Sequence, residues 1–302
     1  MKKIIIAGGT GFIGKCLAQH FKAKGYQTII LTRKYSDVQK NKDYLLWDGK
    51  TIGPWASELE NADVVINLSG KSVDCRYTDA NKKLILDSRV DSTTIIGQAI
   101  NECNKPPKLW LNSSTATIYR DSTDISMSET NGEMGNDFSM GVAQAWEKAL
   151  NESSTPNTRK IALRISLVLG KEGVYPVLSR LTKFGLGGYH GNGKQIFAWI
   201  HIEDIIRIVD FTIVHEQLEG PINCAAPETI TNRQFTKTLR KTLNIPFGIP
   251  TPAPLLEIGC FLLRTESELI LKSRYVEPQR LLDNGFVFRF KTAEQALNDL
   301  KK

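Results

Sequence analysis

The seven residues Gly8-Gly9-Thr10-Gly11-Phe12-Ile13-Gly14 directly follow the β-branched run at residues 3–7 and open an amphipathic stretch at residues 13–24. In a strand-to-helix turn of this kind, the first glycine permits the tight turn and the second lets a pyrophosphate approach the backbone. The third lets the helix pack closely on the strand, and the helix N-terminus offers unpaired N–H groups to phosphates. The stretch therefore predicts a dinucleotide site built on Gly8, Gly11 and Gly14. A glycine turn without a ligand is the alternative interpretation.

The rest of the chain up to residue 224 alternates short β-branched runs with longer amphipathic stretches, which is typical of a parallel sheet covered by helices. Strands are predicted at residues 3–7, 27–32, 44–47, 63–68, 109–113, 160–165 and 221–224. Helices are predicted near residues 13–24, 81–103, 142–152 and 204–215. The predicted fold class is α/β, a doubly wound parallel Rossmann sheet with a smaller C-terminal substrate-side domain.

The character of the sequence changes after Gly170. Residues 184–193 form a glycine-dense loop, and residues 246–254 contain four prolines. We therefore predict a Rossmann domain of residues 1–170 plus 200–224, and a smaller substrate-side domain of residues 171–199 plus 225–302.

Composition narrows the class of protein. The 302 residues are 41% hydrophobic and 24% charged, so a sizeable core is expected. The net charge of +7 is scattered without a block of like charges, and we predict no nucleic-acid partner. A solvated surface and an attraction for anionic ligands are both compatible with that charge.

Cysteine and hydropathy patterns point to the cytoplasm and away from metal. The cysteines, an odd set without a C-x-x-C pair, are Cys16, Cys75, Cys103, Cys224 and Cys260. They predict neither a disulfide framework nor a zinc knuckle. The four histidines show no metal-binding spacing, so no metal site is predicted. The first apolar run is broken too early for a signal peptide, and no apolar stretch reaches about 18 residues, so no membrane span is predicted.

The end of the second predicted strand favours NADP(H) over NAD(H). An acidic residue there would accept the 2′-hydroxyl of NAD, but the strand ends Leu31-Thr32-Arg33-Lys34. Arg33 could instead hold a 2′-phosphate through paired N–H bonds. Asp37, a few residues later, keeps the NAD alternative open.

Several motifs carry a family resemblance over essentially the whole chain. They are GGTGFIG (residues 8–14), LTRK (31–34), NLSG (67–70), DSRV (87–90), SSTATIY (113–119), WE (146–147), RISLVLG (164–170), GLGGYHGNGKQIFAWIHIED (185–204), APETITNRQF (226–235) and VEPQRLLDNGFVFRF (276–290). With these motifs the chain resembles the extended short-chain dehydrogenase/reductase (NAD(P)-dependent epimerase/dehydratase) superfamily. More narrowly, it is similar to the atypical "epimerase family" branch, which has a distinctive C-terminal domain.

The resemblance implies further contacts to the cofactor. Residues 68–70 would pass beneath it, Arg89 would point back toward it, and Ser113 and Ser114 would lie beside the nicotinamide. A helix-surface cation is the alternative for Arg89. The predicted cofactor residues are Gly8, Thr10, Gly11, Phe12, Ile13, Gly14, Thr32, Arg33, Leu68, Ser69, Gly70, Arg89, Ser113 and Val168.

The catalytic residues of that superfamily are less well matched. Its members carry Tyr-x-x-x-Lys on the helix after the fifth strand, where this chain has Ser139 and Ala143. The predicted catalytic residues are therefore Ser114, as a carbonyl-polarising hydroxyl, and Tyr119. For Tyr119 a packing role is the alternative.

Three other polar side chains are weaker candidates for the site. His201 could act as a general base, although a hydrogen-bonded structural histidine is commoner. His190 could line a substrate mouth, and Arg76 could hold an anionic substrate.

Two functions remain open at this point. One is an NADP(H)-dependent oxidoreductase or epimerase acting on a small carbonyl or sugar-like substrate. The other is a non-catalytic NADPH-binding sensor or partner-binding protein, which the missing Tyr and Lys favour. The resemblance also implies a homodimer.

Overall fold

The structure of the protein is a computed structural model that describes residues 1–262, 266 and 268–301. The main strands are β1 (Lys3–Ala7), β2 (Gln27–Thr32), β3 (Tyr44–Leu46), β4 (Val64–Asn67), β5 (Leu109–Thr115), β6 (Arg159–Ile165) and β9 (Gly220–Cys224). They form one seven-stranded sheet in the order β3-β2-β1-β4-β5-β6-β9, and every neighbouring pair is parallel. The predicted doubly wound parallel α/β fold is confirmed.

The helices connect and cover the strands. Their bounds are α1 (Phe12–Ala23), α2 (Tyr35–Lys40), α3 (Asp79–Asn101), α4 (Phe138–Glu152), α5 (Val174–Lys183), α6 (Ile202–Val214), α7 (Asn232–Leu243), α8 (Ala253–Leu262), α9 (Glu268–Leu271), α10 (Gln279–Asp283) and α11 (Ala293–Lys301). Short 3₁₀ helices occur at Pro54–Leu59 and Ala116–Ile118. Two strands that the sequence did not predict, β7 (Leu167–Leu169) and β8 (Trp199–His201), pair in parallel as a separate ribbon.

The alternation of β1 distributes its side chains between two cores. Ile4 and Ile6 face the same side and pack in a cluster with Phe21 of α1. Ile5 faces the opposite side and packs in a second cluster with Ile96 of α3. Because both faces of the strand are buried, a nearly continuous apolar run is what a central parallel strand requires.

A third apolar cluster lies around the β7–β8 ribbon. Trp199 of β8 packs there in a cluster that also includes Phe235 of α7 and Leu297 of α11. Part of the C-terminal region lies outside this cluster. Its residues Leu281 and Phe286 pack into the core beneath the main sheet. The domain boundaries at residues 170, 199 and 224 stay a prediction.

The described residues also bear on metal and membrane association. Among them, no helix is long and apolar enough to cross a membrane. In the same residues, no group of three His, Cys, Asp or Glu side chains could hold a metal ion. Cys16, Cys75, Cys103 and Cys224 are free thiols, and the side chain of Cys260 lies outside the described part of the chain.

A buried ion pair joins α4 to β6, the strand next to the edge strand β9. Arg164 of β6 donates from Nε to Oε1 of Glu147, and from Nη2 to Oε2, at 2.8 Å each. Both residues are buried. Burial by itself lowers the pKa of Arg164, but the hydrogen bonds and charge of Glu147 outweigh it and raise that pKa above its ordinary value. Arg164 therefore stays charged, and its buried guanidinium depends on the carboxylate of Glu147.

We predict that Glu147→Gln lowers the free energy of unfolding by about 3–5 kcal/mol, because it leaves the buried guanidinium of Arg164 without its counter-charge. Glu152→Gln, on the same helix, is the matched control. Within the described part of the chain Glu152 forms only an exposed pair, with Lys148 at 3.7 Å, so the expected loss is below about 1 kcal/mol. Urea unfolding followed by tryptophan fluorescence measures both values. Equal losses in the two variants would contradict the account.

Candidate functional site

The glycine turn after β1 needs its small residues for two separate reasons. Gly8 has a φ of +74°, and a Cβ there would lie 2.9 Å from the carbonyl carbon of Leu68. Gly14 is held so close to the turn that a Cβ would lie 2.5 Å from the Cα of Gly9. The turn, the first helix and the loop after β4 are therefore packed backbone against backbone.

The N-terminus of α1 is open where the turn ends. Gly11 is its N-cap residue, no side chain caps the helix, and its first turn carries no acidic residue. A Cβ at Gly11 would meet only the carbonyl oxygen of Gly8, at 3.6 Å. Unpaired N–H groups and the positive end of the helix dipole therefore face open space, which suits a pyrophosphate.

The remaining residues of the turn are half-buried. Phe12 lies against the loop after β7, because a Cβ at Gly170 would lie 2.2 Å from its ring. Ile13 packs at the edge of the core beneath the sheet, and Thr10 is half-buried in the turn itself. Val168 of β7 also packs against that core. Phe12, a predicted cofactor residue, therefore contacts Gly170, two positions after the predicted residue Val168.

The loop after β4 lies directly beside the glycine turn. Leu68 donates its N–H to the carbonyl of Ala7 at 2.9 Å, and Ser69 donates its N–H to Oδ1 of Asn67 at 3.0 Å. The hydroxyl of Ser69 is buried and has no hydrogen-bond partner among the described residues. A buried hydroxyl without a partner costs free energy, so its position beside the turn fits a site that a polar ligand completes.

Arg89 holds that loop from helix α3. Its Nη1 donates to the carbonyl oxygens of Lys71 and Ile85, both at 3.0 Å. The guanidinium lies against Gly70, where a Cβ would be only 3.2 Å from Cζ, and 5.0 Å from the ring centroid of Trp146. Burial lowers the pKa of Arg89 below its ordinary value. The predicted residues Gly70 and Arg89 are thus in contact, and the guanidinium points toward the strand ends rather than into solvent.

At the end of β2, the cations Arg33 and Lys34 have different surroundings from the carboxylate of Asp37. Arg33 and Lys34 are exposed. The buried Thr32 donates its hydroxyl to Oδ2 of Asp37 at 3.0 Å and accepts the N–H of Lys34. The Asp37 carboxylate therefore accepts the hydroxyl of the buried Thr32, while the side chains of Arg33 and Lys34 remain exposed to solvent.

A cavity of about 110 Å³ lies at the carboxyl ends of β4 and β5. Its polar lining consists of Tyr77, Arg89, Thr115, Thr117 and Ser139, and its apolar lining consists of Val73, Ile85, Phe138, Val142 and Trp146. A larger groove, of about 1160 Å³, opens at the amino ends of the strands instead. Because ligands of open parallel sheets bind at the carboxyl ends, the smaller cavity is the candidate site for chemistry.

The two predicted catalytic hydroxyls are not in this cavity. Ser114 is buried and donates to Oε1 of Glu147 at 2.6 Å. The Tyr119 hydroxyl is also buried, receives a bond from Arg164 at 2.6 Å and donates to Oδ1 of Asn223 at 2.8 Å. Both oxygens therefore belong to the buried Glu147–Arg164 network. Neither side chain presents an open face to the cavity, and a catalytic role for Ser114 and Tyr119 stays a prediction.

Thr115, and not Ser114, lines the cavity at the end of β5. Successive side chains of a strand face opposite sides, so Ser113 and Thr115 are half-exposed while Ser114 between them is buried. The Thr115 hydroxyl lies 3.0 Å from that of Thr117, and both line the cavity. Applying this alternation to the predicted strand would have identified Thr115.

The weaker candidates have structural partners. Arg76 pairs with Glu266 at 3.3 Å, and His190 contacts Asn232 through both its backbone N–H and its ring. His201 is buried and is the N-cap residue of α6, where its Nδ1 accepts the N–H of Glu203 at 3.2 Å. None of these three residues lines the cavity at the ends of β4 and β5.

Most of the chain matches a known protein family, and its C-terminal part matches a further domain. Residues 4–225 match the model of the NAD dependent epimerase/dehydratase family, and residues 251–300 match a domain of unknown function. The epimerase family protein YfhF of Bacillus subtilis is 32% identical over 98% of this chain and 97% of its own length. A similar protein of Staphylococcus haemolyticus is 31% identical over 99% of both chains.

Two solved structures are also similar. The human epimerase family protein SDR39U1, crystallised with NADPH, has a TM-score of 0.89 and 28% identity, and the match covers 99% of this chain and 98% of that one. A nucleoside-diphosphate sugar epimerase from Corynebacterium glutamicum has a TM-score of 0.80 and 26% identity. That match covers 99% of this chain but 58% of the Corynebacterium chain.

The buried imidazole of His201 predicts a pH dependence of stability. Burial is the main cause that lowers its pKa to about 4, against 6.5 in a model compound. Between these two values the unfolded chain binds a proton that the folded chain does not, so stability falls as the pH falls through this window. The difference corresponds to a loss on the order of 3 kcal/mol between pH 7 and pH 4.

Urea unfolding of wild type and His201→Gln across this range isolates that contribution. The variant should show a flatter dependence on pH, because its amide stays neutral throughout. His215→Gln, which alters a half-buried histidine at the end of α6, should keep the wild-type slope. A His201→Gln slope equal to that of wild type would contradict the assignment.

Proposed function

The chain belongs to the NAD dependent epimerase/dehydratase family, and from that premise we propose that it is an NADP(H)-dependent oxidoreductase or epimerase acting on a small carbonyl or sugar-like substrate. One observation carries the proposal. The open glycine turn and the hydroxyl-lined cavity lie on the same edge of the sheet, bridged by the loop that Arg89 holds.

The features of the turn support the cofactor half of the proposal. The uncapped N-terminus of α1 would hold the pyrophosphate, and the unpartnered Ser69 hydroxyl lies beside it. When bound, the dinucleotide supplies hydride chemistry at its nicotinamide. The protein contributes the binding surface, the orientation and the polar groups that meet the substrate.

The end of β2 supports NADP(H) over NAD(H). A 2′-phosphate is dianionic, and the exposed Arg33 and Lys34 have no ion-pair partner among the described residues. Asp37, which could otherwise accept a ribose hydroxyl, is already engaged by Thr32. The similar human protein was crystallised with NADPH, whereas a more distant neighbour was crystallised with NAD.

We expect Arg33→Ala to weaken NADPH binding about 10- to 100-fold, because charge-assisted hydrogen bonds contribute roughly 1.5–3 kcal/mol. NADH lacks the 2′-phosphate, so its affinity should change less than about twofold. Calorimetric titration of both cofactors measures the two effects. Lys40→Ala, an exposed cation at the other end of α2, should change neither affinity. Equal affinities of wild type for NADPH and NADH would refute the Arg33 argument.

The cavity supports the substrate half. Its size limits the reacting group to a small one, and its wall combines apolar side chains with the hydroxyls of Thr115 and Thr117. A hydroxyl donor at the end of a central strand can polarise a carbonyl oxygen, which makes the carbonyl carbon a better hydride acceptor. We therefore assign carbonyl orientation to Thr115.

A non-catalytic NADPH-binding protein is the second candidate. It is favoured by Ser139 and Ala143, which occupy the positions where related enzymes carry a Tyr and a Lys. Such a protein would hold NADPH at the same turn without oxidising it.

One experiment distinguishes the two candidates. Wild-type protein is mixed with NADPH deuterated at C4 and a dialysable metabolite extract, and the label is followed by mass spectrometry. We expect deuterium in a metabolite. Thr115→Val should then reduce the transfer about tenfold or more, since it removes only the hydroxyl. Thr155→Val is the control, because that buried hydroxyl has no described partner and lines the opposite groove. Label that stays entirely on bound NADPH would favour the sensor.

A further inference from the structure

Tyr77 lines the cavity, although only its neighbour Arg76 was a candidate from the sequence. It lies in the loop between β4 and α3, immediately before the N-cap residue Thr78. Its backbone N–H donates to Oε1 of Glu266 at 2.7 Å, and its ring packs edge-on against Phe138 at 5.0 Å. The backbone hydrogen bond and the ring contact together fix the position of Tyr77, and its ring lines the cavity.

The Tyr77 hydroxyl begins a chain of hydrogen bonds that leaves the cavity. It lies 3.4 Å from Oγ of Ser139, the residue at the start of α4. Ser139 donates to Oε1 of Glu268 at 2.5 Å, and Glu268 accepts from Nζ of Lys272 at 2.9 Å. Lys272 also pairs with Asp137. The side chains of Lys272 and Asp137 are 26% and 28% exposed, so the chain ends where water can reach it.

This chain places a phenol and an ammonium near the start of α4, where Ser139 stands in place of a catalytic Tyr. The small Ser139 side chain is itself a link between Tyr77 and Glu268. The phenol comes from the loop after β4, and the ammonium comes from the residue that follows α9. The phenol therefore lines the cavity, and the ammonium lies outside it, joined to the phenol through Ser139 and Glu268.

We propose that Tyr77 is the proton donor of this site, and that Ser139, Glu268 and Lys272 are positioning residues that return the proton from solvent. This inference rests on the proposed function. It deepens that function by naming the acid that a carbonyl reduction needs.

In the reductive direction the bound dinucleotide would supply the hydride that forms the new C–H bond at the carbonyl carbon, and the carbonyl π pair would move to oxygen. That oxygen takes the proton of Tyr77 and becomes the alcohol, while the nicotinamide is oxidised. As Ser139 passes its proton to the Tyr77 oxygen, Glu268 passes one to Ser139 and Lys272 passes one to Glu268, so that no serine alkoxide forms. Lys272 then takes up one proton from solvent, which balances the proton delivered to the alcohol.

The surroundings of Tyr77 keep its phenol protonated at neutral pH. Burial is the main cause that raises the pKa of Tyr77, and the carboxylates of Glu268 and Glu266 add to it. The hydrogen bond to Ser139 acts in the opposite direction. Arg89 is the cation that interacts with Tyr77 from α3. A protonated phenol beside a cation can donate to an oxygen that is gaining negative charge.

The test compares wild type with Tyr77→Phe, which removes one oxygen and keeps the ring. Hydride transfer from deuterated NADPH is measured with the metabolite identified by label, or with a graded series of straight-chain aldehydes and ketones. We expect kcat/KM to fall about 100-fold or more, as loss of a general acid requires. The Kd for NADPH should stay within about twofold. Tyr26→Phe, at the amino end of β2, is the matched control and should keep wild-type rates.

A second measurement reports on the relay without turnover. The ultraviolet difference between wild type and Tyr77→Phe, recorded over alkaline pH, gives the ionisation of Tyr77 alone. Repeating it in Ser139→Ala and in Glu268→Gln backgrounds should move that ionisation to higher and to lower pH, respectively, as the loss of a hydrogen bond and of a negative charge requires.

The outcomes separate the two proposals. Rates in Tyr77→Phe within about threefold of an active wild type would overturn this inference and leave the proposed function intact. A wild type that transfers deuterium to no metabolite and no carbonyl probe would overturn both. An ionisation of Tyr77 that neither background variant moves would remove Ser139 and Glu268 from the relay.

Discussion

The buried pair of Glu147 and Arg164 determines where the cavity wall stands. Glu147 belongs to α4, the helix that supplies Phe138, Ser139, Val142 and Trp146 to the cavity. Arg164 lies in β6, the strand next to the edge strand β9, and also bonds to Tyr119. Because two charges buried together cannot part without a large cost, the helix is fixed against the strands, and the residues at its N-terminal end inherit that position.

The candidate site depends on elements that are far apart in the chain. The glycine turn after β1, the loop held by Arg89 and the end of β5 all reach one edge of the sheet because parallel strands end there together. The segment containing Glu266 and Glu268 closes the arrangement from the C-terminal part, through bonds to Tyr77 and Ser139. Cofactor binding and substrate chemistry would thus share the loop that Arg89 holds.

Local pattern was sufficient for the sheet and insufficient for the chemistry. The strands Lys3–Ala7 and Gln27–Thr32 have the bounds that their β-branched runs predicted. The ribbon of Leu167–Leu169 with Trp199–His201 was missed, because three residues are too few to show periodicity. Thr115 was not predicted, because the predicted strand ended at residue 113 and no side-chain orientation was assigned beyond it. The link from Ser139 to Glu268 spans 129 positions, and no spacing rule reports a contact of that range.

The central claim is that NADPH lies along this edge with its nicotinamide at the mouth of the cavity. A crystal structure of the protein with NADPH tests it most directly. We expect the pyrophosphate at the N-terminus of α1, the 2′-phosphate on Arg33, and the nicotinamide facing Thr115 and Tyr77. A cofactor bound with its nicotinamide turned away from those two side chains, or bound at the groove on the opposite edge of the sheet, would contradict it.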